Sequence, residues 1–193
     1  MILKQKARIS SILALILSVL SFMAALTGIL DTSLYRSAEA AGNISDFLVT
    51  GSVAQDLVVL PGSILLAVIS LVLLFRSGIK TLVLNMGLIS FIFYAYGLYV
   101  MQGQYTALYL VYLAIFGLSI YALVYGLLAI KWAETGKTML PKSLRYLMAS
   151  FLLLIPVALV PVWLMMILPD MAAHTPSDTY AVFILDLAIV FPA

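Results

Sequence analysis

The chain has 193 residues, 65% of them hydrophobic and 9% charged, with a formal net charge of +2 and a mean hydropathy of +1.19. A soluble domain carries about 25% charged residues, so this set cannot cover a water-facing surface, and lipid is the expected solvent. Having no cysteine excludes disulfides, thiolate metal sites and cysteine nucleophiles; the single His174 excludes a two-imidazole site; and the scattered Lys and Arg form no nucleic-acid patch.

A transmembrane helix needs ~20 mostly apolar residues to cross ~30 Å of hydrocarbon. Five runs meet that length: 9–30, 53–75, 79–101, 105–130 and 144–168. A sixth, 179–193, is still apolar where the chain stops and is too short to cross. The expected fold is an all-α, polytopic transmembrane helical bundle. It has five full spans and a truncated sixth in a single integral membrane domain, 1–193. A carboxyl terminus stranded in hydrocarbon is costly, so the chain reads as a fragment of a longer protein, with a re-entrant arm as the alternative.

The N-terminal segment 1–8 carries Lys4, Lys6 and Arg8. Ala38-Glu39-Ala40 fits a signal-peptidase pattern, but signal h-regions run ~7–15 residues and the stretch 9–30 is longer. An uncleaved first span is therefore the preferred reading. With the N-terminus inside, nine of the ten basic residues fall in the inside segments 1–8, 76–80 and 131–145, and only Arg36 falls outside. This is the positive-inside pattern. It predicts a multi-pass protein of the cell membrane, of prokaryotic type, with its N-terminus in the cytoplasm. Most acids run the other way: Asp31, Glu39, Asp46, Asp170 and Asp178 lie in outside segments.

The outside loop 31–52 reads either as a short interfacial helix capped by Asn43 or Ser45 or as a plain loop. Asn43-Ile44-Ser45 also matches a glycosylation acceptor, a pattern common by chance. The second span has capping-box form at Ser52 and Gln55. Asp56 would then sit in the first helical turns, where the dipole favours a negative charge. Pro61 leaves the Leu57 carbonyl without a helical partner, and Gly62 and Ser63 follow, so a helix break is expected there.

The third span carries Asn85 in its inner half and Gly87, Ser90, Tyr94 and Gly97 at helical spacing. The fourth carries Tyr105, Tyr109, Tyr112 and Phe116 on one face, and Ala122 with Gly126 in small-xxx-small spacing. Small residues allow close helix approach in lipid, and the tyrosines fit an interfacial belt. Pro156 and Pro161 mark further candidate breaks in the fifth span.

Ionisable residues within spans are the candidate functional groups. Asp186 is the sharpest: if its helix is capped near Ser177 or Asp178, it lies ~12 Å along the span, with no Lys, Arg or His expected at that depth. Asp56 and Asp186 are 130 positions apart, and Pro61 and Pro192 are 131 apart. This suggests two parallel four-helix repeats in an eight-helix protein, with chance as the rival. Together Asp186, Asp56 and Asn85 form the candidate intramembrane polar site. Two facing carboxylates would share a proton or a cation.

Asp170, His174 and Asp178 are spaced four apart, but Pro169 and Pro176 argue against a regular helix carrying them as metal ligands, so no metal is expected. Gly136-Lys137-Thr138 lacks the upstream glycine of a phosphate loop, and Lys137 is expected near anionic headgroups. No nucleophile motif is present, so the reading leans away from an enzyme, and no cofactor is expected. The expected role is transport or permeation of a small solute or ion using buried acids. The alternative is a noncatalytic membrane-embedded subunit or scaffold. Its partners are the lipid bilayer and other transmembrane helices or further copies of the chain, and not nucleic acid.

Overall fold

A computed structural model describes residues 2–76, 78–131, 141–175, 177 and 179–190. Every regular element among them is helical, and the chain forms two compact units, Met1–Thr135 and Gly136–Ala193. Five helices are long and apolar enough to cross a membrane.

The first unit holds α1 (Lys4–Leu30), α2 (Ser33–Ala40), α3 (Asp46–Phe75), α4 (Ile79–Met101) and α5 (Tyr109–Ala129). The four long helices pack as a ring: α1 on α3, α3 on α4, α4 on α5 and α5 on α1. Short connections force neighbours to run antiparallel. The buried residues show why the ring closes. On α3 they are Val49, Ser52, Asp56, Val59, Ser63, Leu66, Ser70 and Leu73. On α5 they are Tyr112, Ile115, Ser119, Ala122, Gly126 and Ala129. The steps alternate three and four, the heptad spacing that keeps one seam facing the partner helices.

On α1 every buried residue except Leu17 is Ala, Ser or Gly. In lipid no hydrophobic force drives helices together, and small side chains let backbones approach. At Gly126 a Cβ would lie 2.9 Å from Met86 Cγ and 3.3 Å from Ser10 Oγ, so the glycine is what admits both neighbours. Ser10 Oγ donates to the Ala122 carbonyl at 2.8 Å, tying α1 to α5. The bundle centre is filled by Leu17, Val59, Leu66, Ile89, Ile92 and Ile115. At one end Leu3 N–H donates to the Ala129 carbonyl at 2.8 Å, and Ile2 pairs with Ile130, so the start of the chain meets the end of α5.

Several local expectations are corrected. α3 begins at Asp46 rather than Ser52, because Ile44 and Val49 bury against Tyr35 and Ala38 of α2. The capping box does not form: Ser52 Oγ meets Gln104 Oε1 at 3.2 Å, and Gln55 Nε2 donates to the Ala95 carbonyl at 2.7 Å. The region 31–52 is thus not a plain loop; it supplies α2 and the first turns of α3. On α4 the seam is Leu82, Asn85, Ile89, Ile92, Tyr96 and Tyr99, while Gly87 and Ser90 are exposed. Tyr105 is exposed ahead of α5, whereas Tyr112 is buried within it. Pro61 lies inside the length of α3.

The second unit holds α6 (Lys142–Ala173), with Pro156, Pro161 and Pro169 inside it. It also holds a short turn α7 (Tyr180–Phe183) that widens into a π-helical turn, Ile184–Val190. α6 passes Pro169, so Asp170 is helical after all. It ends at His174, whose φ of 55° is left-handed. Thr175 N–H reaches back to the Asp170 carbonyl at 3.0 Å, which is a Schellman ending with histidine where glycine is usual.

Candidate functional site

Asp56 and Asn85 lie in the first unit and Asp186 in the second. Asp56 lies 1% exposed near the α2 end of the first unit. Being ten residues into α3, it is well past the helix N-terminus, so the helix-dipole explanation for it does not hold. Its partners come from two other elements. Tyr35 of α2, itself 0% exposed, donates its hydroxyl to Asp56 Oδ2 at 2.5 Å. Tyr99 of α4 lies 3.1 Å from Asp56 Oδ1 and 2.9 Å from the Ser52 carbonyl. Tyr99 packs against Tyr35, Tyr96 and Tyr112, with ring centroids 6.2, 5.6 and 5.0 Å away. Tyr96 ties the cluster to α1 by donating to the Ser21 carbonyl at 3.0 Å.

Gly28 of α1 makes room for the pair. A Cβ there would fall 2.0 Å from Asp56 Oδ2 and 2.6 Å from the Tyr35 hydroxyl. The carboxyl is thus enclosed by hydroxyls, aromatic rings and a helix backbone. No cation is paired with it among the described residues. Burial pushes the Tyr35 phenol above its ordinary range, with Tyr99, Tyr112 and Asp56 adding to the effect; Tyr35 is therefore a proton donor at any physiological pH.

The proton count at Tyr99 sets what the cluster can do. One hydroxyl proton faces two acceptors, Asp56 Oδ1 and the Ser52 carbonyl. With Asp56 charged, that proton serves the carboxylate. With Asp56 protonated on Oδ1, the acid donates to Tyr99, and Tyr99 turns its own proton to Ser52. A single hydroxyl rotation therefore fits either form of the acid, because a phenol both donates and accepts.

Asn85 stands apart from Asp56, further along the seam of α4. Its Oδ1 accepts from Ser70 Oγ at 2.7 Å, and its buried Nδ2 has no hydrogen-bond partner among the described residues. Asp56, Ser63 and Ser70 recur every seven residues on the α3 seam, so polar groups reach from the carboxyl to the Asn85 level. The apolar layer of Leu17, Leu66 and Ile115 sits among them.

Asp186 belongs to the second unit, on the π-helical turn, 5% exposed. Trp163 Nε1 donates to its Oδ2 at 3.0 Å, and the Trp163 ring meets Phe183 edge-on at 5.8 Å. Asp178 lies outside the described residues, and no cluster of three potential metal ligands occurs among the described ones.

Tyr35, Tyr99 and Gly28 were not legible as site residues. Tyr35 sits in a stretch without span character, and Tyr99 was one of many aromatics. The available signal was Asp56 itself, which needs donors from somewhere. No family model, no curated protein and no solved structure matches this chain.

Proposed function

We propose that the protein passes protons or a small cation through the membrane, with the Asp56 cluster as the exchanging group. The observation that carries this reading is a carboxyl 1% exposed inside the helix bundle, near one end of a helix long enough to cross a membrane, held by hydroxyls that suit both of its protonation states. Burying an ionisable group costs free energy, and in membrane proteins such groups are kept where they bind or move charge. Ser63, Ser70 and Asn85 extend the polar line along the seam. The layer of Leu17, Leu66 and Ile115 would act as the barrier that opens during passage. In the second unit, the indole-bonded Asp186 is a second buried acid.

The packing of α1 favours a second reading. Its Ala, Ser and Gly seam is closed by the unit's own helices, and buried Ser11, Ser21 and Ser119 each bond to a carbonyl in their own helix. A packed unit of this kind suits a noncatalytic subunit or scaffold. Reconstituted liposomes under a potassium diffusion potential and carrying an internal pH dye separate the two. The transport reading expects proton uptake that Asp56→Asn lowers by about tenfold or more, as for loss of a proton-transfer group. Uptake unchanged by the substitution, in a variant that still melts as a folded protein, removes Asp56 from the pathway. No proton uptake by the unaltered protein, and no sodium or potassium uptake in parallel radiotracer flux assays, leaves the scaffold.

A further inference from the structure

The α2 end of the first unit carries a second polar feature, on its outer surface. α2 and the first turns of α3 enclose a groove of about 390 Å³. Thr32, Arg36 and Thr50 give it a polar rim, and Val53, Ala54 and Leu57 give it an apolar floor. Arg36 Nη1 donates to Glu39 Oε2 at 2.8 Å and to Asp46 Oδ1 at 2.6 Å. The guanidinium has five N–H donors, and among the described residues only those on Nη1 are engaged. Asp46 is exposed.

Depth places this groove. α3 has 30 residues, about 45 Å at 1.5 Å per residue, against ~30 Å of hydrocarbon. With the exposed Phe75 and the following Arg76 at one boundary, the opposite boundary falls near Gln55. Arg36, Thr50 and Asp46 then stand at headgroup level, while Leu57 and Val58, both exposed, face acyl chains.

We propose that the groove binds a phosphatidylethanolamine headgroup from the adjacent leaflet. The charge pattern selects it. One guanidinium beside two carboxylates disfavours a purely anionic headgroup but matches a zwitterion. The phosphate meets Arg36 Nε and Nη2 and the Thr32 and Thr50 hydroxyls, and guanidinium–phosphate contacts are among the strong charge-assisted bonds. The primary ammonium reaches Asp46 and Glu39 with three N–H donors; a choline headgroup has none to offer. The first acyl carbons lie along Val53, Ala54 and Leu57. This inference needs α3 to cross a bilayer and does not depend on ion passage.

Native mass spectrometry of the full chain in detergent, titrated with phosphatidylethanolamine, phosphatidylcholine and phosphatidylglycerol, tests it. The expected result is binding of the ethanolamine lipid about tenfold tighter than either other lipid, the size of one charge-assisted contact. Ala54→Trp fills the groove and leaves the ion pairs in place; Arg36→Gln removes the phosphate donor; Asp46→Asn weakens the ammonium site. The first two should abolish the preference, and the third should bring the ethanolamine lipid close to the choline lipid. Should Ala54→Trp not fold, Thr50→Val takes its place, with a smaller loss expected. Equal binding of the three lipids, or a preference that survives Arg36→Gln and the groove variant, overturns the proposal. A clear preference in a protein that moves no ions leaves this site standing and sinks only the transport reading.

Discussion

Asp56 is only as secure as the groups around it, and each can be removed singly. Tyr35→Phe deletes the donor to Oδ2 and leaves a buried carboxyl oxygen unpaired, which costs about 1–3 kcal/mol; the melting temperature in detergent should fall accordingly. The pH dependence has a definite sign. The folded protein holds the Tyr35 proton to higher pH than the unfolded chain does. Its contribution is therefore complete below the ordinary tyrosine value of about 10 and is lost as pH climbs above it. A melting series from neutral to alkaline pH should show this decline, and Tyr35→Phe should flatten it. Gly28→Ala drives a methyl into the Asp56–Tyr35 bond, and overpacking of this kind costs about 1–3 kcal/mol. Gly87, in the same ring of helices, meets nothing within 4 Å, so Gly87→Ala should be neutral or stabilising by up to about 1 kcal/mol. Equal losses at the two glycines would contradict the close approach at Gly28. At this scale the sequence showed the acid and hid its donors, because a tyrosine in a polar loop looks like any other until α2 folds back.

At the level of elements the positions of the long helices were readable and their inward faces were not. Lengths and loop charges mark the spans. Hydrophobic periodicity fails here because exposed residues such as Leu57, Val58 and Leu65 are as apolar as the buried Val59 and Leu66. What betrays the seam of α3 is its few polar members, Ser52, Asp56, Ser63 and Ser70, at steps of four and seven. On α4 the same logic holds only in part: Asn85 and Gly97 are buried, but Gly87 and Ser90 face outward and the large Tyr96 and Tyr99 face in. Ala122 and Gly126 of α5, by contrast, are both buried, as small-residue packing predicts. Leu66, 0% exposed at the bundle centre, tests the assignment. Leu66→Ala should cost about 2–5 kcal/mol, whereas Leu65→Ala, on the exposed face, should change the detergent melting temperature little. Similar losses at the two positions would place the seam elsewhere.

In the first unit, the four ring helices α1, α3, α4 and α5 are each long and apolar enough to cross a bilayer, with α2 at one end of the ring. Native chains have no cysteine, so single cysteines report sidedness directly. Arg36→Cys should react with a membrane-impermeant thiol reagent in intact cells, and Arg76→Cys should react only after permeabilisation. Reaction of both from one side would break the antiparallel ring as a membrane structure. The loop charges predict this orientation, since it assigns nine of the ten basic residues to the inside segments.

The pairing of Leu3 with Ala129 has a wider meaning. The start of α1 and the end of α5 lie side by side, at the end of the ring where α3 turns into α4. The connectivity of the first unit taken alone is therefore interchangeable in principle: a short splice from residue 131 to residue 2, with a new opening between α3 and α4, would preserve each helix neighbour of that unit and place both new ends at that face. Such a permuted chain would insert α4 and α5 before α1. Whether it still assembles would reveal if α1 must wait in lipid for its last neighbour or can be received by a ring already half built.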